Sequence, residues 1–247
     1  MTGAATTFAP AEGGAAPRTL VIMRHGLTED NLRGIYQGHR DSELSRTGWA
    51  QARFAALVVA EHDPTIIVSS DLRRAADTAD VVADLLGMRA RRDPRLREID
   101  VGEWGGRNAS QVWQTDAPTL AAIAAGHDVP RGRTGETVAE LAVRARAAAD
   151  DVVAALPPGR TALLVCHGLT SRALVASLVG LDQMAAVTLL HGLGNCRWAT
   201  ISQTRRATPD GRPAPWRIDE WNTGAGSRLE YVVSRYSDDL GRGPAIG

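Results

Sequence analysis

The sequence predicts an α/β fold, a three-layer α/β/α sandwich built on a mostly parallel central sheet. Three observations carry that expectation. Short aliphatic runs recur at Thr19–Met23, Thr65–Val68 and Thr161–Cys166, the pattern of strands covered on both faces. Segments with a helical apolar period alternate with them. Each run ends in a polar cluster: Arg24-His25-Gly26, Ser69-Ser70-Asp71 and His167-Gly168. The carboxyl edge of a parallel sheet is where such folds bind ligands, so the three clusters are expected to meet.

Residues 1–17, rich in Ala, Gly, Thr and Pro, have little to bury and are predicted as a disordered lead-in. After the first strand, Thr47-Gly48 opens an Ala-rich helix running to about Ala60. The second strand precedes Leu72, Ala75, Ala79, Val82 and Leu86, spaced for one helix face. Val138, Leu141, Ala145, Ala148, Val152 and Leu156 repeat that spacing before the stop signal Pro157-Pro158-Gly159. Arg172–Val179 reads as a shorter helix behind the third strand, and Cys196–Ile201 and Trp216–Trp221 as closing strands. One domain is thus expected over residues 18–223. The remaining 224–247 form a tail with an apolar patch at Leu229–Val233, partly ordered or framing an interface, with a homodimer as the candidate assembly.

The chain has 247 residues, 44% of them hydrophobic, which suffices for a well-cored globular domain. All 28 basic residues are Arg and they balance 28 acidic ones. Such a balance gives no overall field for nucleic acid or an anionic membrane, and neither is an expected partner. The absence of Lys excludes a Schiff-base lysine and the lysine of a Walker phosphate loop. Arg is also the side chain best shaped to grip phosphate or carboxylate with two parallel bonds. Cys166 and Cys196 form no disulfide framework and no zinc-ligand spacing. With no apolar run of ~20 residues and no secretory leader, the expectation is a cytoplasmic protein.

His25 at a strand end is, alone, as compatible with a loop residue as with a nucleophile. Its neighbours sharpen the reading. A histidine ring nitrogen can take a phosphoryl group, Arg24 offers a charged fork for phosphate oxygens, and Gly26 permits close backbone approach to an anion. Asp71 could instead cap a helix, with Arg73 and Arg74 on its solvated face.

The run Arg24-His25-Gly26-Leu27-Thr28-Glu29-Asp30-Asn31, followed by Gln37-Gly38, Asp41, Leu44, Thr47-Gly48 and Gln51-Ala52, resembles the histidine phosphatase superfamily. Ser69–Ala75 with Thr78-Ala79, Leu96–Asp100 with Gly102–Gly106, and Val165–Leu169 with Arg172 resemble its later motifs. Leu27 stands where the family usually carries Glu or Gln. The resemblance implies a phosphoglycerate mutase-like fold and a phosphohistidine intermediate on His25. It implies phosphate ligands at Arg24, Arg74 and His167, with Arg73 the variable neighbour, and a general acid/base at Glu98, with Asp100 and Glu103 as nearby alternatives. Asn31, Gln37, Gly38, Gly168 and Leu169 are the implied substrate-binding positions, Leu169 through its backbone N–H, and Asn195 a structural hydrogen-bonder. No metal or organic cofactor is implied.

The classical mutases of the family carry a long basic insertion after the acid motif, whereas the interval from Glu98 to Gly135-Glu136-Thr137 is short here. Hydrolysis of a small-molecule phosphate ester is therefore the expected reaction. The layout is similar to that of actinobacterial glucosyl-3-phosphoglycerate phosphatases, on Ser69–Ala75, 102–106, Gly194-Asn195 and 216–222. A sugar phosphate or a glucosylated phosphoglycerate is the expected substrate. The alternatives are mutase-type phosphoryl transfer and a non-catalytic phosphate-binding module; the joint presence of His25, both arginines, Glu98 and His167 argues against the latter. A metal hydrolase is disfavoured because Arg24 and Arg74 put positive charge where a dication would sit. Of the other histidines, His39 and His62 are expected on the surface, His127 and His191 are possible pocket residues, and Trp104 and Trp113 are possible pocket walls.

Overall fold

The three aliphatic runs become the inner strands of one six-stranded sheet in a computed structural model that describes residues 16–204 and 215–227. In chain order the elements are β1 (Thr19–Arg24), α1 (Glu29–Leu32), α2 (Arg46–Val59), β2 (Pro64–Ser69), α3 (Arg73–Leu85) and β3 (Arg91–Arg92). There follow α4 (Ala109–Ala124), α5 (Val138–Ala155), β4 (Thr161–Cys166), α6 (Gly168–Val179), α7 (Gln183–Leu189), β5 (Trp198–Gln203) and β6 (Trp216–Thr223). The strands lie in the order β3-β2-β4-β1-β5-β6. Neighbours from β3 through β1 are parallel; β5 runs antiparallel to both β1 and β6.

Alternation along the strands builds a core on each face. Leu20, Ile22, Ala162 and Leu164 pack against Ala145, Ala148 and Val152 of α5 and Leu174 and Leu178 of α6. Val21, Met23, Leu163 and Val165 pack against Ala52, Ala55 and Val59 of α2 and Ala75, Ala79 and Val82 of α3. Each large aliphatic side chain fully buried this way contributes about 1.5–3 kcal/mol. A third cluster, with Val101, Trp104, Val112 and Leu141, lies beside the sheet.

Strand register is what assembles the polar ends. Arg24 is level with Cys166, so His25 and His167 emerge side by side, and the His25 N–H donates to the Cys166 carbonyl (3.0 Å). Ser69 is level with Val165, and the Ser70 N–H donates to the Val165 carbonyl (2.9 Å), which brings the start of α3 to the same edge.

Several expectations need correction. Helix α6 begins at Gly168, a full turn before Arg172, with His167 at its cap position. Cys196 is no strand residue: its φ is 54°, and its N–H turns back to the Arg24 carbonyl. Helices α4 and α7 have no clear apolar period, since α4 buries only Val112 and Asp116 and is broken at Asp116 (φ −150°, ψ 40°), and α7 buries only Ala186. Asp71 caps nothing; Leu72 holds that position, and Asp71 accepts from Arg97 Nε and Nη2 (2.8 and 2.5 Å). The lead-in up to residue 15 and the tail beyond residue 227, with its apolar patch, lie outside the described residues. Among the described residues no single helix is long and apolar enough to cross a membrane.

Candidate active site

His25 follows directly from the end of β1 and is buried. Its Nδ1 lies 2.7 Å from the Gly26 carbonyl. Only a protonated Nδ1 can donate to a carbonyl, so the bond selects the tautomer that leaves the lone pair on Nε2. Asn195 Nδ2 donates to the His25 carbonyl (3.1 Å) and to Asn31 Oδ1 (3.2 Å), which ties this turn to α1. Gly26 serves packing and not an anion: a Cβ there would lie 2.7 Å from the Gly48 carbonyl oxygen, and its N–H donates to Thr78 Oγ1 (3.0 Å).

Arg74 is 1% exposed, whereas Arg73 points outward to Glu43 (2.5 Å). The solvated-face reading therefore holds for Arg73 alone. Arg74 is anchored through Nη1 to the Arg40 carbonyl (2.7 Å) and through Nη2 to the Gly38 carbonyl (2.8 Å). Gly38 has φ 49°, and a Cβ on it would meet Val101 Cγ2 at 2.6 Å, so the turn that presents its carbonyl requires glycine. Arg24 donates from Nη1 to the Leu193 carbonyl (2.8 Å). The His167 ring is fully buried, with its centroid 5.2 Å from that of His25.

Arg24 Nε, Arg74 Nε and both ring nitrogens of His167 are buried with no protein partner. Each such orphaned group costs about 1–3 kcal/mol. A tetrahedral oxyanion beside His25 would satisfy the donors among them, and that is the chemistry this donor set fits.

Burial, then Arg74 and then Arg24, push the His25 pKa well below its ordinary value. Burial and Arg74, followed by His25 and Arg24, do the same to His167. Both rings are thus neutral near pH 7, as a nucleophile must be. Burial also lowers Arg74, to about 10. Because the unfolded histidines titrate near ~6.5, the unfolded chain takes up protons first as pH falls. The contribution of the two neutral rings to stability is therefore full above pH ~6.5 and is lost as pH drops below it, by up to ~1.4 kcal/mol per pH unit for each ring. Urea melts between pH 7.5 and 5.5 should show this slope, and His167→Asn should flatten it. An unchanged slope in that variant would remove His167 from the account.

Glu98 sits on a loop that Arg144 of α5 holds from beneath. Arg144 donates to the carbonyls of Arg95 (2.8 Å), Arg97 (2.7 Å) and Glu98 (2.8 Å) and pairs with Glu136 (2.7 Å). His39 Nε2 reaches the Glu98 carbonyl (2.9 Å), so His39 is a half-buried strut and not a free surface residue. The Glu98 carboxylate accepts from the Leu169 N–H (3.2 Å) and the Thr170 N–H (3.2 Å) at the start of α6, and from Thr170 Oγ1 (3.1 Å). The Leu169 N–H expected to meet phosphate is thus engaged by the candidate acid. Asp100 turns to the Gly102 N–H (2.9 Å) and Glu103 to Arg133 (3.7 Å); neither lines the cavity.

A cavity of about 360 Å³ opens here. Arg24, His25, Asn31, Gln37, Gly38, Arg74, Glu98 and Leu169 line one part of it. The His167 ring lies next to that of His25 without lining the cavity, and Gly168 packs on Arg24, where a Cβ would lie 3.6 Å from the guanidinium carbon. Tyr36, Trp104, Leu120 and Ile123, neighbours in the third hydrophobic cluster, add an apolar wall, and Arg131 and Arg172 also line the cavity. Trp104 is fixed through Nε1 to Asp116 Oδ2 (2.9 Å), while Trp113 is 60% exposed and away from the cavity. His127 and His191 are exposed and do not line it, and His62 is half-buried with its ring 6.4 Å from that of Trp198. Sequence pattern alone does not single out Arg131, Tyr36, or Leu120 and Ile123 of α4; an Arg in a Gly-rich turn is the one available signal.

The sequence profile of the histidine phosphatase superfamily (branch 1) matches residues 20–209. The chain is 39% identical over 218 residues to glucosyl-3-phosphoglycerate phosphatase of Mycobacterium tuberculosis, covering 84% of this chain and 96% of the relative. It is 32% identical over 221 residues to a probable phosphoglycerate mutase of Photorhabdus laumondii, covering 90% and 98%. The solved structure of mycobacterial glucosyl-3-phosphoglycerate phosphatase with VO3 superposes with a TM-score of 0.74 at 38% identity, covering 84% of this chain and all of that one. The fold, the paired histidine ends and these matches agree, and the chain belongs to the histidine phosphatase superfamily.

Proposed function

We propose that the chain hydrolyses phosphate monoesters through a phosphohistidine on His25. The observation that carries the reading is a neutral His25 with Nε2 left free, sharing one site with Arg24, Arg74 and His167, whose buried nitrogens lack a protein partner. His25 Nε2 attacks phosphorus, a P–N bond forms, and the ester P–O bond breaks as Glu98 gives its proton to the leaving oxygen. Water then attacks the same phosphorus and loses a proton to the Glu98 carboxylate, and the P–N bond breaks to release inorganic phosphate. Arg24, Arg74 and His167 hold the non-bridging oxygens while charge builds on them. Asn31, Gln37, Gly38 and Leu169 shape the rim around the ester, and Gly168 supports it by packing on Arg24. The similarity to glucosyl-3-phosphoglycerate phosphatases supports a phosphorylated sugar or a glucosylated phosphoglycerate as substrate.

Two arginines supply the positive charge that metal ions bring to other phosphoryl-transfer sites, so neither a metal nor an organic cofactor enters the scheme. Turnover of p-nitrophenyl phosphate and of a panel of sugar phosphates should be unchanged in excess chelator. Loss of activity in chelator with recovery on adding one dication would overturn the scheme. Transfer of phosphate to a second hydroxyl of phosphoglycerate in place of release would make the enzyme a mutase.

A further inference from the structure

The candidate acid is held by a hydroxyl that has more acceptors than hydrogens. Thr170 stands in the first turn of α6 and is fully buried. Its Oγ1 lies 2.9 Å from the Arg97 carbonyl and 3.1 Å from Glu98 Oε1. A threonine hydroxyl carries one hydrogen, so it donates to one of the two at a time.

Neither acceptor depends on it. The Arg97 carbonyl also accepts from Arg144 Nη1 (2.7 Å). Glu98 Oε1 also accepts from the Ile99 N–H (3.0 Å) and the Thr170 N–H (3.2 Å). The hydroxyl can therefore turn from one to the other without leaving a buried acceptor empty. The charge on Glu98 decides the choice: a carboxylate draws a donor more strongly than a peptide carbonyl does, and a neutral carboxyl loses that advantage.

The same contacts select the oxygen that exchanges the proton. Oε1 faces three donors, whereas among the described residues Oε2 accepts from the Leu169 N–H alone (3.2 Å). Oε2 thus keeps a lone pair for the proton. Its partner Leu169 lines the cavity, and Thr170 does not.

Resting on the phosphatase reading above, we infer that Thr170 is a positioning residue whose hydroxyl follows the charge on Glu98: it donates to Oε1 while Glu98 is a carboxylate and to the Arg97 carbonyl while Oε2 carries the proton. No bond at Thr170 is made or broken. As the Oε2 proton passes to the leaving oxygen, the O–H swings to Oε1 and stabilises the carboxylate left behind. When the attacking water returns a proton to Oε2, it swings back. The other charged and titratable groups around Glu98 are Arg24 and His25 at the end of β1, Arg74 of α3, Cys166 and His167 at the end of β4, and Arg172 of α6, with Arg144 and His39 on its carbonyl. Removal of one hydroxyl alters none of them.

The pH dependence of two similar esters tests this. Phenyl phosphate and p-nitrophenyl phosphate differ in one nitro group, and the phenyl ester has the more basic leaving oxygen, which calls on Glu98 for a proton. In the wild-type enzyme, kcat/KM for phenyl phosphate should fall on an alkaline limb that p-nitrophenyl phosphate lacks. Thr170→Val removes the hydroxyl and keeps the branched shape. Its carboxylate has lost a charge-assisted hydrogen bond, so the proton is held to higher pH and the limb should move up by about one pH unit. The p-nitrophenyl profile should stay in place, and Thr170→Ser should restore the wild-type limb. Should the valine variant not fold, Thr170→Ala lacks the same hydroxyl and takes its place. A limb that stays put without the hydroxyl, or that moves as far in Thr170→Ser, overturns the inference. So does an equal loss of rate on both esters with the limb unmoved, the mark of a merely structural residue. Coincident profiles for the two esters in the wild-type enzyme would instead overturn the acid role of Glu98, and hydrolysis of neither ester the phosphatase reading itself.

Discussion

Replacing His25 with alanine is expected to lower turnover of every phosphate ester by about 10⁴-fold or more, as loss of the attacking group does in other covalent enzymes. No neighbouring group substitutes for it. The His167 ring is fully buried next to that of His25 and, like both cysteines, does not itself line the cavity. The intermediate should vanish with the rate: wild-type protein quenched during turnover should carry an acid-labile, base-stable phosphoryl group, and His25→Ala protein should carry none. Label of that kind on the alanine variant would move the nucleophile elsewhere. His167→Ala should behave differently, with the intermediate still formed but about 10²- to 10³-fold more slowly, since it removes a donor to the phosphate and not the acceptor.

Changing Glu98 to glutamine is expected to have the second largest effect, and one that depends on the leaving group. Alkyl esters, whose alkoxides need a proton, should slow by about 10²- to 10⁴-fold. An aryl ester such as p-nitrophenyl phosphate leaves without a proton, so formation of phosphohistidine should suffer little. Hydrolysis of the intermediate would then limit, and rapid mixing should reveal a burst of phenolate. The local structure sets a control on this test. Glu98 Oε1 accepts from Ile99 N–H (3.0 Å), Thr170 N–H and Thr170 Oγ1, which a glutamine oxygen reproduces. Oε2 accepts from the Leu169 N–H, and an amide nitrogen placed there would face it donor to donor. A stability loss of about 1 kcal/mol in Glu98→Gln is therefore expected and should appear equally in melts without substrate. Equal loss on both ester types with no burst would make Glu98 a helix-capping residue, and Asp100 or Glu103 the acid to test next.

The sequence by itself determined the sheet and the two histidine ends. Aliphatic runs covered on both faces and the polar clusters that stop them are local signals, readable within six or eight residues, and they located β1, β2 and β4 to within a residue or two. The motif resemblance extended this to Arg74 and Glu98, whose proposed roles have no signature in spacing alone. What only the tertiary structure decided are the properties created by contacts distant in the chain. Arg73 and Arg74 are adjacent and chemically identical; they differ because Arg74 meets carbonyls 34 and 36 residues away, whereas Arg73 meets water and Glu43. Glu98 caps a helix 71 and 72 residues further on. Helix α4 escaped the periodicity because most of its surface is not in the core; it covers the cavity with Leu120 and Ile123, and its break at Asp116 lets that carboxylate hold Trp104. Gly26 looked suited to an anion, yet its missing Cβ makes room for the Gly48 carbonyl of α2. Arg131 is one Arg among 28 until the turn at Gly132 buries it, and that burial is a property of the folded neighbourhood that no window of sequence contains.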